Sequence, residues 1–199
     1  MLTRIIGTII ERKKEKMILI DRRKQEIEAM AEEILDKNNL LYPRFDLIKY
    51  LKEQEHFDIA LQNMPKGTTG FIFVDEDCNN SEEDAIRIIA VNSDLQDDPC
   101  FLQKSRFIIA HEYAHSILHK RDGLVLAHRS VSMKKTKKEL EADLFARSLL
   151  MPKKLVNKLL ENASFQQLKT ESQINYISTV FNVTTKKAQE RLKELQEHA

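Results

Sequence analysis

The stretch Arg106-Phe107-Ile108-Ile109-Ala110-His111-Glu112-Tyr113-Ala114-His115 sets two histidines four residues apart, with a glutamate directly after the first. Phe107, Ala110, Ala114, Ile117 and Leu118 recur at helical spacing and predict a helix from about Pro99 to Lys120 with that stripe toward the core. Residues four apart on a helix share a face, so His111 and His115 can hold one metal ion between them. Glu112 lies slightly around the helix, within reach of a water beside that metal. Zinc lowers the pKa of such a water toward neutrality, and a carboxylate placed there takes its proton as hydroxide attacks a carbonyl. The pattern therefore predicts Zn2+ held by His111 and His115, with Glu112 as general base.

A catalytic zinc takes a third protein ligand and keeps one position for water. The next predicted helix, starting near Thr136 and ending where Pro152 imposes a new start, offers Glu139 and Glu141. Glu139, Asp143 and Arg147 fall at i, i+4 and i+8, a charged strip that reads as exposed. Glu141 projects between Leu144 and Phe145, so it is the expected ligand. His119 continues the histidine stripe and is a candidate outer partner of the ligands. His128, in the loop that contains Gly123, could border the cleft and stabilise an oxyanion. Tyr113 points to the core side of its helix, and Cys100 reads as a buried structural thiol.

The motif, followed by Glu141-Ala142-Asp143-Leu144-Phe145-Ala146 and Leu149-Leu150-Met151-Pro152, resembles the ImmA/IrrE family of metallopeptidases. The resemblance covers roughly residues 25–152 and, more loosely, the tail. It implies a zinc-peptidase fold in which the glutamate of the Glu-Ala pair is the third ligand, Glu141 here. It also implies a biological role, the cutting of a helix-turn-helix transcriptional repressor in phages, mobile elements or stress responses. One position departs from the thermolysin-like pattern, which places an Asp four residues after the ligand glutamate. Four after Glu141 stands Phe145, whereas Asp143 stands four after Glu139, so Glu139 stays open as the ligand and Asp143 as the residue that orients the first histidine.

Around this centre the chain divides by character. A helix is predicted from an N-cap at Asp21, with Ile27, Met30, Ala31, Ile34 and Leu35 on one face, and a shorter one over Leu47 to Leu51. Phe57 to Leu61, Gly70 to Val74 and Ile86 to Val91 read as strands, with the acidic linker Asp75 to Asp84 between the last two. Helices, then strands, then helices favour an α+β fold: a small antiparallel sheet packed on helices that carry the zinc site. Ile86 to Val91 is the candidate edge for binding substrate as an added strand, with Asn92 at its end. Residues 1–20 read as an extension, 21–152 as the metallopeptidase domain and 153–199 as a helical subdomain.

In that tail, a helix ending near Phe181, a turn at Asn182-Val183, an N-cap at Thr184 and a last helix resemble a helix-turn-helix unit. Its Lys186, Lys187, Arg191 and Lys193 are offset by Glu190, Glu194 and Glu197, a poor balance for phosphate binding. Packing or substrate docking is favoured there over direct DNA contact. The net charge of the chain is only +1, so no global field points to nucleic acid. No apolar run reaches the length of a membrane span and no secretory signal is evident, so a cytoplasmic protein without membrane association is expected. Cys78 and Cys100 form no CxxC pair, which argues against a thiolate zinc site. The alternative of a different class is a regulatory protein that binds DNA or a repressor through its tail, with a non-catalytic metal site.

Overall fold

A computed structural model describes residues 21–75, 86–119 and 136–196 of the chain. Helix α1, residues 21–37, buries Ile27, Ala31 and Leu35 and half-buries Met30 and Ile34, the stripe its spacing predicts. Residue 21 is already helical, so Asp21 is not the N-cap the sequence suggests. The expected extension over residues 1–20 lies outside the described residues. Helix α2 (Leu47–Glu53) starts where the Asp46 side chain accepts from the Lys49 amide and buries Leu47, Tyr50 and Leu51.

Strands β1 (Asp58–Gln62), β2 (Gly70–Asp75) and β3 (Ile86–Asn92) form a sheet in the order β1-β3-β2. β3 runs antiparallel to β2, pairing Gly70 with Val91 and Asp75 with Ile86, but parallel to β1, pairing Asp58 with Ile88 and Gln62 with Asn92. The sheet is thus mixed rather than antiparallel. The chain reverses after β1 and again after β2, and β3 inserts between them instead of joining the outside. Burial explains the order: Ile89, Ala90, Val91 and Asn92 are consecutively buried, as suits a strand covered on both sides. β1 is largely exposed and suits an edge. The expectation that Ile86 to Val91 is a substrate-binding edge therefore fails, because β3 has a neighbour on each side.

Helix α3 (Phe101–Leu118) crosses this sheet and packs on β2, β3 and helix α4 (Lys137–Leu150). Every residue from Phe107 to Ser116 is buried, so α3 is enclosed on all sides rather than along one stripe. Its first turn emerges from the core: Leu102 is exposed, and Cys100, the N-cap residue, is an exposed thiol and not a buried one. α3 comes so near the sheet that a Cβ added at Gly70 would lie 2.5 Å from Ile108 Cγ2 and 2.9 Å from the Ala90 oxygen. Gly70→Ala should therefore cost about 1–3 kcal/mol through overpacking, measurable by denaturant titration. A neutral result would show that strand and helix separate freely there.

The Thr136 side chain caps α4 by accepting from the Glu139 amide. Pro152 then separates α4 from α5 (Lys153–Leu160), the short α6 (Ala163–Gln166), α7 (Thr170–Phe181) and α8 (Thr185–Gln196). Asn182 closes α7 in the left-handed region at φ 52°, and the Thr184 hydroxyl accepts from the Lys187 amide, so the predicted helix–turn–helix path is present. The expected boundary at residue 152 falls at this Pro152, while the buried side chains on both sides of it belong to one hydrophobic cluster running from Ile27 to Leu195.

Two of the four cations assigned to the last helix turn away from solvent. Arg191 is wholly buried, donating to the Met151 carbonyl oxygen at 3.1 Å and pairing with Glu28 of α1. Lys187 pairs with Glu190 at 2.9 Å and lies 4.1 Å from the Phe107 ring centre. Arg191→Ala should lower stability by about 2–3 kcal/mol, below the full cost of breaking a buried pair because Glu28 keeps some water. Thermal or urea unfolding checks it, and a change under about 0.5 kcal/mol would mean that α8 is held by apolar packing alone. Among the described residues no helix is long and apolar enough to cross a membrane.

Candidate metal centre

α3 presents His111 and His115 one turn apart, and α4 alongside presents Glu139 and Asp143 one turn apart on its facing side. Glu139 Oε2 lies 3.2 Å from His111 Nε2, and Glu139 Oε1 lies 3.3 Å from His115 Nε2. The two Nε2 atoms are 3.2 Å apart. One ligand atom from each of His111, His115 and Glu139 thus falls within 4.8 Å of the others. Two imidazole nitrogens and a carboxylate oxygen make the donor set of a catalytic zinc site. Each ring is also held from behind: His111 Nδ1 is 3.0 Å from Asp143 Oδ1, and His115 Nδ1 is 3.1 Å from His119 Nδ1. Those contacts leave both Nε2 atoms to face the ligand position, as imidazole ligands require.

Glu141, the ligand favoured by the sequence, points elsewhere. Its Oε2 takes a hydrogen bond from Arg23 Nη2 at 3.2 Å and lies 3.5 Å from His119 Nε2, while its Oε1 is 3.6 Å from Lys137. The helical projection fails because it equates charge with exposure. From Ala142 onward α4 is buried on nearly every side, so apolar neighbours do not mark a single inward face. The strip Glu139, Asp143 and Arg147 turns inward because each charge finds a partner there: the histidines for the first two, and Glu190 and Glu194 for Arg147. The signal in the sequence that points to it is the spacing from Glu139 to Asp143.

The charges respond to this arrangement. Hydrogen bonds from His111 and then His115 hold the Glu139 carboxyl well below the usual carboxylate range. Burial, followed by the nearby His115, lowers His119. For Glu141 burial acts upward, but Arg23 and Lys137 outweigh it and the net shift is downward. Lys187 is lowered by burial, opposed by the charge of Asp143, so α8 reaches the electrostatic surroundings of the site.

Glu112 is fully buried. Its Oε1 would lie 3.5 Å from a Cβ on Gly70, which places the carboxylate against the start of β2. Among the described residues β2 pairs only with β3, so the strand that starts beside Glu112 is an edge strand of the sheet. β2, not β3, is therefore the edge nearest the site. Asn92 instead spends its amide internally, donating to the Thr68 oxygen at 2.9 Å and accepting from the Asp94 amide at 3.0 Å. Tyr113 is buried as expected, its hydroxyl 3.2 Å from that of Tyr50 and its ring edge-on to Phe57 and Phe145. His128 and Cys78 lie outside the described residues.

The family model described as the IrrE N-terminal-like domain matches residues 53–193. The match takes in both histidines, Glu112, Glu139, Glu141 and Asp143, and it begins after α1. Comparison with curated proteins returns no match.

Proposed function

The chain belongs to the IrrE N-terminal-like peptidase family, and from that premise we propose that it is a cytoplasmic zinc endopeptidase that cuts one helix-turn-helix transcriptional repressor. The observation that carries the reading is the convergence of His111, His115 and Glu139 beside the buried Glu112. These three residues would hold the zinc, with Glu139 taking the place first assigned to Glu141. Bound there, zinc supplies Lewis acidity toward a scissile carbonyl and makes water more acidic. Glu112 accepts the proton of the attacking water and delivers it to the departing amine nitrogen. Asp143 accepts from His111 Nδ1–H and so keeps Nε2 available as a ligand.

The edge of β2 beside Gly70 offers main-chain groups to an extended substrate segment, which would add to the sheet as a further strand. The repressor as target rests on the motif resemblance to the ImmA/IrrE family. Metal analysis of the purified protein, coupled to incubation with the repressor encoded beside its gene, tests the reading. One zinc per chain and a single cut are expected. A chain that takes up no zinc, or a tight sequence-specific DNA complex with the repressor left intact, overturns it.

A further inference from the structure

We propose that Arg23, Glu141 and His119 are positioning residues that set the orientation of His115, making helix α1 a working part of the metal centre. The inference rests on the ligand set His111, His115 and Glu139. Both Nε2 atoms face Glu139, so the ring proton of His115 belongs on Nδ1, and its acceptor is His119 Nδ1 at 3.1 Å. His119 must then carry its own proton on Nε2. That nitrogen is buried and has no well-formed hydrogen bond, and it faces Glu141 Oε2 at 3.5 Å. Arg23 Nη2 donates to the same oxygen at 3.2 Å. The donors thus run from ligand to imidazole to carboxylate, where they meet the Arg23 guanidinium donating from the other side.

The two ligand histidines differ in this respect. His111 is backed directly by a buried carboxylate, Asp143. His115 is backed by a neutral imidazole, a weaker acceptor, which a carboxylate behind it polarises. Glu141 supplies that carboxylate at one remove, and the hydrogen bond from Arg23 holds it in place. Arg23 lies 118 residues away in sequence and outside the span 53–193 that matches the family. The brace therefore comes from an element outside the matched span.

The test measures zinc affinity by chelator competition on the full chain, with the absorption bands of the cobalt-substituted protein as a second readout. Glu141→Gln should keep one zinc per chain but weaken it about 10–100-fold, the range for loss of a ligand's outer partner. Arg23→Ala should weaken it about 10-fold, and Arg23→Lys should restore most of that loss. The double variant Arg23→Ala/Glu141→Gln should be no weaker than Glu141→Gln alone, since both act through one route. The cobalt bands should shift in Glu141→Gln and Arg23→Ala. Variants that unfold more easily but keep wild-type zinc affinity and cobalt bands would make the contacts merely structural and overturn the proposal. A wild-type chain that binds no zinc would instead overturn the ligand set itself. So would loss of all zinc in Glu141→Gln with full binding in Glu139→Gln, by making Glu141 the ligand.

Discussion

Glu112→Gln is expected to lower turnover of the protein substrate by about 10²–10⁴-fold while one zinc per chain is retained. Glutamine keeps the shape of the side chain in its buried slot between α3 and Gly70, so packing should be preserved. It cannot accept a proton from water, nor return one to the leaving nitrogen. The measurement is single-turnover cleavage alongside metal content and thermal stability. Turnover within a few-fold of wild type would remove Glu112 from the chemistry. Loss of zinc would instead show that its carboxylate belongs to the metal's own ligands.

Glu139→Ala is expected to lose zinc, and turnover with it, by more than the roughly 100-fold that removal of an outer partner costs. Both of its oxygens are committed, one to each histidine Nε2, at 3.2 and 3.3 Å. Its removal leaves two imidazoles, too few protein ligands for a catalytic zinc. Equilibrium dialysis against buffered zinc reads the loss directly. Zinc binding unchanged in Glu139→Ala would return the third ligand to another residue of α4, Glu141 first among them.

The α+β class, the stripe Ile27, Ala31 and Leu35, the three strands and the helix carrying His111 and His115 were all legible in the sequence. So was the close of α7 near Phe181 and the turn that follows it. These features repeat over one or a few turns of chain, where periodicity, caps and prolines act through neighbouring residues. Four residues also define one helical turn, so the pairing of His111 with His115 around Glu112 needs no tertiary knowledge.

What the chain could not disclose locally is which faces meet. The position of β3 between β1 and β2 depends on which strand the core covers on both sides, and pairing over long loops carries no periodic trace. Whether Glu139 or Glu141 meets the histidines depends on how α4 is rolled against α3. Its charged strip turns inward only because His111, His115, Glu190 and Glu194 wait there to partner it. The contact of Arg23 with Glu141 joins residues 118 apart. Local sequence therefore determined the helix that carries His111, Glu112 and His115. Which carboxylate meets the two histidines, and what lies behind each ring, were decided by packing, because a buried charge is tolerable only where another element brings its partner.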